Sequence, residues 1–214
     1  MKLRWVGHSC FLITSKSGLS IITDPYHTKQ GVNYSPVMEI ADIVTVSHDH
    51  FDHNAVQSVG GRPEVVKSSG IKSIKGIEFR GIACYHDESS GKKRGENIIF
   101  CFSVDGIRIC HLGDLGHALD SEQIKEIGEV DVLFVPVGGF YTIDAAVATR
   151  VCDDIKPKVI VPMHYKTPKL DFPVTGVDVF LAGKKNVKKL DSSKVEFEHD
   201  TLPAETGILV LKST

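Results

Sequence analysis

Four largely apolar segments of the chain each lead to a histidine or an aspartate, and this pattern restricts the fold more than any other feature. The segments cover residues 43–47, 81–85, 107–113 and 159–163, and the polar residues that follow them are His48, His86, Asp114 and His164. Segments rich in Val and Ile of this length predict buried β-strands. Because functional loops of α/β folds open at the carboxyl ends of strands, we expect these four side chains to lie together at one edge.

The rest of the chain is predicted to mix further strands with a few helices. Strands are expected at residues 3–14, 19–23, 64–67, 73–85, 98–112, 131–137, 158–163, 194–198 and 207–211. Helices are expected at residues 121–127, capped by Ser121, at 142–155, capped by Thr142 and stopped before Pro157, and at 177–182. No linker rich in Pro, Gly or Ser interrupts this pattern. Residues 1–214 are therefore expected to form a single α/β or α+β domain with more than one sheet.

The charge balance argues against nucleic acid as a partner. The chain has 25 Lys and Arg against 27 Asp and Glu, a net charge of −2 with neutral histidines, whereas nucleic-acid binders are commonly basic. No apolar stretch approaches the roughly 20 residues that span a bilayer, and the first residues lack the apolar centre of a signal peptide. We therefore expect a cytoplasmic protein with no membrane partner.

The five cysteines indicate reduced, buried thiols rather than a disulfide framework. Their number is odd, and no two are spaced as Cys-x-x-Cys. The turn Asp105-Gly106 predicts a two-residue hairpin in which Cys101 lies directly opposite Cys110. A cross-strand disulfide is therefore geometrically possible, but the expected cytoplasmic location favours free thiols.

The densest group of candidate ligands follows residue 47. Residues 48–53 read as an H-x-H-x-D-H pattern. Residues two apart in an extended chain point the same way, so His48 and His50 can bind one metal ion. If a helix begins near Asp52, that carboxylate and His53 point about 100° apart and can reach a second ion. The alternative interpretation of this segment is a solvated polar loop.

This pattern, together with motifs spread over most of the chain, resembles the metallo-β-lactamase superfamily. The motifs are Gly7-His8-Ser9-Cys10-Phe11, Thr23-Asp24-Pro25, the H-x-H-x-D-H segment, His86, Gly113-Asp114, Pro136-Val137-Gly138-Gly139 and Met163-His164. The chain looks most like the small branch of metal-dependent hydrolases that includes ascorbate-6-phosphate lactonase-like proteins. The resemblance implies an α/β fold, a four-layer αβ/βα sandwich in which helices flank two mixed β-sheets, with a dinuclear metal site at one edge.

The resemblance also implies that seven residues bind two metal ions. The ligands of the first ion would be His48, His50 and His86. Those of the second would be Asp52, His53 and His164, and the residue that bridges both ions would be Asp114. Asp24 would support these ligands from beneath. His8 and His117 adjoin the motifs and are candidates for substrate contact.

Two divalent ions at such a site activate water for hydrolysis. Ions about 3.5–4 Å apart lower the pKa of a bound water to about 7 and polarise the substrate oxygen. A metal-bound hydroxide is then expected to attack a carbonyl carbon or a phosphorus. Asp52 is the expected catalytic residue that orients this water and moves its proton. Imidazole and carboxylate ligands without thiolate suit zinc first, with manganese, iron or nickel as alternatives.

The leading prediction is a hydrolase of a small, anionic ester, such as a lactone or a phosphoester. The basic run Lys92-Lys93-Arg94 can rim its site and attract an anion, or form a solvated turn. The alternatives are a phosphodiesterase or nuclease with the same metals, a flavodiiron-type oxidoreductase, and a non-catalytic metal-binding module. Net charge and the lack of an RNase Z-type arm weigh against polynucleotides, and flavodiiron proteins carry a carboxylate where His50 stands. The sequence leaves the substrate and the oligomeric state open.

Overall fold

The computed structural model describes residues 1–213, in which two β-sheets and a few helices are found. The strands in chain order are β1 (Lys2–Gly7), β2 (Cys10–Thr14), β3 (Ser20–Thr23), β4 (Ile43–Thr45), β5 (Glu64–Val66), β6 (Gly70–Ile74), β7 (Ile77–Tyr85), β8 (Glu96–Val104), β9 (Ile107–His111), β10 (Val132–Pro136), β11 (Val159–Met163), β12 (Val187–Lys189), β13 (Lys194–Glu196) and β14 (Gly207–Val210). The α-helices are α1 (Ser121–Ile127), α2 (Ala145–Ile155) and α3 (Val177–Leu181). Short 3₁₀-helices cover Val56–Ser58 and His199–Thr201.

Both sheets mix parallel and antiparallel pairs. The small sheet has the order β13-β1-β2-β3-β4-β5, antiparallel from β13 to β3 and parallel from β3 to β5. The large sheet has the order β12-β14-β11-β10-β9-β8-β7-β6, parallel from β12 to β9 and antiparallel from β9 to β6. The prediction of an α/β fold with two mixed sheets is confirmed.

The main hydrophobic core lies between the two sheets. Phe11 of β2 stacks on Phe134 of β10, with ring centroids 4.2 Å apart. Trp5 of β1 packs beside Phe11 in the same cluster. Helix α2, which connects β10 to β11, adds its buried residues Val151 and Ile155 to this cluster. Because burying one such side chain contributes roughly 1.5–3 kcal/mol, this core supplies most of the driving force that holds the strand ends in place.

The outer face of the small sheet is covered by loops. Successive side chains of a strand point to opposite faces, so Ile21 and Ile43 join the main core while Ile22 and Val44 face outward into a second apolar cluster. Tyr26 and other loop residues complete that second cluster. In residues 1–213 this outer layer consists of loop segments and the 3₁₀-helix Val56–Ser58, whereas the α-helices all lie between residues 121 and 181.

The predicted hairpin forms with the register that its turn residues indicate. Asp105 and Gly106 have φ values of 53° and 78°, the positive values that a two-residue type I′ turn requires. Cys101 of β8 consequently lies opposite Cys110 of β9. All five cysteines of the chain are free thiols.

Helices α1 and α2 are capped by aspartates, and the predicted caps were wrong. The Asp120 carboxylate accepts hydrogen bonds from the backbone amides two and three residues later, at 2.9 and 2.8 Å. Asp144 accepts one from the amide three residues later, at 2.9 Å. Ser121 instead occupies the first turn of α1, and Thr142 precedes α2. An aspartate caps well because its negative charge also interacts favourably with the positive end of the helix dipole.

Helices long and apolar enough to cross a lipid bilayer do not occur among residues 1–213.

Candidate metal centre

The carboxylate of Asp114 is the point at which the four polar strand ends meet. Its Oδ1 lies 3.2 Å from His53 Nε2, and its Oδ2 lies 3.2 Å from both His86 Nε2 and His164 Nε2. Oδ2 also lies 3.9 Å from His48 Nε2. All five side chains are buried. Strands β4, β7, β9 and β11 therefore bring their following residues to one shared position, at the edge where we expected them.

The candidate ligands form two neighbouring groups and a third, Asp24 with His48 and His53, that overlaps both; within each group the ligand atoms all lie within 4.8 Å of one another. The members of the first group are His48, His50 and His86. The members of the second group are His8, Asp52, His53 and His164. Asp114 contacts both groups. This arrangement parallels the two ligand sets that the family resemblance implied, with His8 as an additional member of the second.

The H-x-H-x-D-H segment forms a turn, and the expectation of a helix near Asp52 was wrong. The backbone amide of His53 donates to the carbonyl of His50 at 2.9 Å and closes the turn. The amide of Ala55 then donates to the carbonyl of Pro25 at 2.7 Å. Because this amide bonds to another part of the chain, the helical hydrogen-bond ladder cannot continue from Asp52. The turn still brings Asp52 and His53 into the same ligand group.

Asp24 orients two of the imidazoles from beneath. Its Oδ2 accepts hydrogen bonds from Ser47 Oγ at 2.6 Å and from His53 Nδ1 at 2.9 Å. Since the Ser47 hydroxyl donates its proton to Asp24, its oxygen accepts from His48 Nδ1 at 2.9 Å. His48 and His53 therefore carry their protons on Nδ1, which leaves each Nε2 lone pair directed toward Asp114, as a metal ligand requires.

The unpaired atoms at this position fit a metal ion. His48 Nε2 and Asp114 Oδ1 are buried and have no hydrogen-bond partner within residues 1–213. Buried polar atoms are seldom left without a hydrogen-bond partner. The Nε2 lone pairs of these imidazoles also repel the carboxylate that they face, unless a cation lies between them. Imidazole and carboxylate groups without thiolate are typical ligands of zinc and other divalent transition metals. The residues present therefore suit the metal ions that the sequence led us to expect.

The charges of the site also favour a cation. Burial lowers the pKa of His53, but the carboxylates of Asp114 and Asp52 outweigh burial and hold that pKa well above its ordinary value. Burial raises the pKa of Asp114, yet the imidazoles of His164 and His53 hold it well below its ordinary value. Asp114 is thus an ionised carboxylate in a buried position. The negative potential that raises the pKa of His53 would also attract a divalent ion, which would take the place of a proton on Nε2.

His8 contacts Asp52 from the interior of the protein. Its Nε2 donates to Asp52 Oδ2 at 3.1 Å, and its ring is fully buried. Burial lowers the pKa of His8 to about 4, and His164 lowers it further while Asp52 opposes the shift. His8 is therefore neutral and has a left-handed backbone with φ of 53°, stabilised by a hydrogen bond from Trp5 Nε1 to its carbonyl. The structure places His8 behind Asp52.

His117 is not brought to the ligand groups. The backbone amide of Tyr85 donates to its Nε2 at 3.1 Å, and its Nδ1 donates to the carbonyl of Ala118 at 2.7 Å. Both ring nitrogens are therefore used in contacts within the loops. His117 lies outside the surface of the cavity at the centre.

Asn97 belongs to the site, although the sequence analysis did not select it. Its Oδ1 accepts a hydrogen bond from the backbone amide of Asp114 at 2.9 Å, and its Nδ2 donates to the carbonyl of Leu112 at 2.9 Å. The side chain is buried and holds the turn that carries Asp114. The only available signal was a single amide residue at the start of an otherwise apolar strand.

A cavity of about 520 Å³ opens onto the metal centre. Ligand candidates of both groups lie at its base, and Phe51, Tyr141 and Phe172 form an apolar wall. The Tyr141 and Phe172 rings are 5.4 Å apart, and the Phe51 and Phe172 rings are 6.5 Å apart. Arg94 contributes a positive charge to the lining. The aromatic wall comes from loops without sequence periodicity, and the sequence analysis missed it.

Gly116 lies against the backbone that carries His86. A Cβ at this position would lie 2.2 Å from the carbonyl carbon of His86 and 2.2 Å from the amide nitrogen of Asp87. We expect Gly116→Ala to displace His86 and to lower the free energy of unfolding by about 2 kcal/mol or more, because the clash is with backbone. Urea unfolding would measure this. The control is Gly207→Ala, whose Cβ would approach no atom closer than 3.5 Å; equal unfolding midpoints would contradict the prediction.

The amino-acid sequence of this chain matches the model of one protein family and several of its members. The profile of the beta-lactamase superfamily domain matches residues 2–164, a span that includes every candidate ligand. A UPF0173 metal-dependent hydrolase of Thermoplasma volcanium is 30% identical over 191 residues, which cover 78% of this chain and 84% of the relative. A UPF0173 metal-dependent hydrolase of Archaeoglobus fulgidus is 30% identical over 213 residues, which cover 83% of this chain and 87% of the relative.

A solved structure from Thermotoga maritima is similar over almost the whole chain. It is described as a candidate Zn-dependent hydrolase of the metallo-β-lactamase superfamily. The two structures align with a TM-score of 0.81 at 38% sequence identity, covering 98% of this chain and 97% of the other. The aligned part of this chain therefore includes both sheets.

Proposed function

The chain belongs to the metallo-β-lactamase superfamily and to its UPF0173 metal-dependent hydrolases, and on this basis we propose that it hydrolyses a small anionic ester, either a lactone or a phosphoester. The observation that carries the proposal is the buried Asp114 carboxylate, which lies within 3.2 Å of three imidazole nitrogens beside an open cavity. The lactone alternative rests on the resemblance of residues 7–11 and 136–139 to ascorbate-6-phosphate lactonase-like proteins.

Seven residues would hold two divalent ions. The residues for the first ion are His48, His50 and His86. Those for the second would be Asp52, His53 and His164, and Asp114, which contacts imidazoles of both groups, would be a ligand that the two ions share. Such a pair of ions makes water a nucleophile at neutral pH and polarises the substrate oxygen. We propose zinc, with manganese, iron or nickel as alternatives, because the ligands are imidazoles and carboxylates.

Asp52 is proposed to orient the attacking water and to accept its proton. Its Oδ2 already accepts a hydrogen bond from His8 Nε2 at 3.1 Å, which leaves Oδ1 to accept from water. Asp52 lines the cavity, so a bound ester can reach it. His8 is neutral and fully buried, and its role is to hold the carboxylate in one rotamer.

The shape and charge of the cavity favour a small substrate over a polynucleotide. A volume of about 520 Å³ is in the range of small-molecule sites. Its lining includes three aspartates and a single arginine, whereas a nucleic-acid groove needs a series of cations along the phosphate backbone.

A panel of three substrate classes tests the proposed function. The purified protein, loaded with zinc and separately with manganese, is assayed on lactones, on aryl carboxylate esters and on aryl phosphodiesters. We expect turnover of at least one class that EDTA abolishes and added metal restores. If no class shows metal-dependent turnover, the chain is a metal-binding module and the proposal is wrong. If only phosphodiesters react, and turnover falls steeply with salt, the nuclease alternative replaces it.

A further inference from the structure

The loop after β7 is built around the buried carboxylate of Asp87. Backbone amides of four loop residues donate to it at 2.7–3.1 Å, and these residues are Ser89, Gly91, Lys93 and Arg94. Four hydrogen bonds to one ionised acceptor are strong and directional. These bonds fix the backbone of Lys93 and Arg94, so the Arg94 side chain starts from a defined backbone position.

The guanidinium of Arg94 faces the cavity without an acidic partner. Its Cζ lies 5.5 Å from the centroid of the Tyr141 ring, and both residues line the cavity at the metal centre. No ion pair or side-chain hydrogen bond of Arg94 occurs in the described part of the chain. Arg108, by contrast, pairs with Asp131. A guanidinium over an aromatic face keeps its N–H donors, which point outward in the guanidinium plane, available to a ligand.

The carboxylates of the same cavity are engaged elsewhere. Asp52 accepts from His8, and Asp114 faces the imidazoles. Asp171, the remaining acidic residue of the lining, accepts from Asn33 Nδ2 at 2.8 Å. Among the residues that line this cavity, Arg94 is the only lysine or arginine, so its guanidinium is the permanent positive charge that a substrate anion away from the metals would meet.

We infer that Arg94 selects substrates that carry a second anionic group, a carboxylate or a phosphate, apart from the bond that is cleaved. The class is an ester with an apolar or planar segment against Phe51, Tyr141 and Phe172, and with its distal anion on the Arg94 guanidinium. This inference rests on the proposed function, since the metal centre must hold the other end of the same molecule. Tyr141 lines the same cavity, and its ring lies beneath the Arg94 guanidinium at 5.5 Å.

A pair of matched esters tests the inference by activity. The probes are the p-nitrophenyl monoester of glutarate, which has a distal carboxylate, and p-nitrophenyl butyrate, which has none. For Arg94→Gln we expect kcat/KM to fall at least about tenfold on the glutarate ester and less than about threefold on the butyrate ester. The control is Lys92→Gln, which removes the same charge from an exposed side chain in the same loop; it should leave both values within about twofold.

Binding separates this inference from the proposed function. The probes are the corresponding p-nitroanilides, measured by calorimetry on the zinc-loaded protein, so that no turnover is needed. Wild type should bind the glutaryl anilide at least about tenfold more tightly than the butyryl anilide, and Arg94→Gln should lose that preference. Thermal melting within about 2 °C of wild type shows that the variant is folded.

Two results would overturn the inference. One is an unchanged preference for the glutaryl probes in Arg94→Gln, which would place the distal carboxylate on the metals. The other is an equal loss in Lys92→Gln, which would mean that net charge acts at a distance. If no ester is turned over but binding still shows the preference that depends on Arg94, the proposed function is rejected. Arg94 then remains an anion-binding residue.

Discussion

Replacing Asp114 by alanine is expected to remove at least one metal ion per chain and to lower turnover by at least about a thousandfold. The carboxylate contacts imidazoles of both ligand groups at 3.2 Å, so its loss leaves several buried imidazoles without their shared anion. A site that depends on two ions to activate water and polarise the substrate loses both effects when one ion is absent. Elemental analysis after gel filtration and a progress curve on the best substrate measure the two outcomes.

Asp49→Ala is the matched control for this variant. Asp49 belongs to the same segment and carries the same charge, but it is exposed and accepts a hydrogen bond from Asn54. Metal content of this control should equal that of wild type. A full metal complement in Asp114→Ala, with the fold intact by urea unfolding, would show that Asp114 does not bind the ions.

Asp52→Asn is expected to reduce kcat by about 10²–10⁴-fold, with a much smaller change in KM. The amide keeps the shape of the side chain but cannot accept a proton, and a positioned general base contributes about this factor. At least one metal ion should remain, because His48, His50 and His86 are untouched. Steady-state kinetics with parallel metal analysis on the same preparation measure both quantities.

The kinetic pattern of Asp52→Asn distinguishes chemistry from binding. A fall in kcat at constant metal content supports the assigned proton transfer. If kcat stays within about threefold of wild type while the metals remain bound, Asp52 is a ligand only, and another group must move the proton.

The shared location of the four polar strand ends could be predicted from the sequence, because it depends on the burial of the apolar segments and on the direction of the strands. Apolar segments of β4, β7, β9 and β11 must enter the core, and the polar residues after them must then emerge at the same edge. The hairpin register was equally predictable, since Asp105-Gly106 permits one turn type. The ligand grouping and the role of Asp24 came from the family resemblance.

Other parts of the site depend on contacts that no local pattern encodes. The turn at Asp52 replaces a helix because the amide of Ala55 donates to the carbonyl of Pro25, which is distant in sequence. The helix caps are Asp120 and Asp144 instead of Ser121 and Thr142, because several adjacent residues can cap a helix and the sequence alone does not select one of them. The aromatic wall is built from separate loops. The sequence around Phe51 does not indicate that Tyr141 and Phe172 will lie beside it.

Anomalous X-ray diffraction from crystals of the zinc-loaded protein, measured on both sides of the zinc absorption edge, tests the central claim most directly. We predict two peaks about 3.5–4 Å apart, on either side of the Asp114 carboxylate. One peak should contact His48, His50 and His86, and the other should contact Asp52, His53 and His164. A structure with no zinc at these residues, or with zinc bound only elsewhere on the chain, would contradict the account.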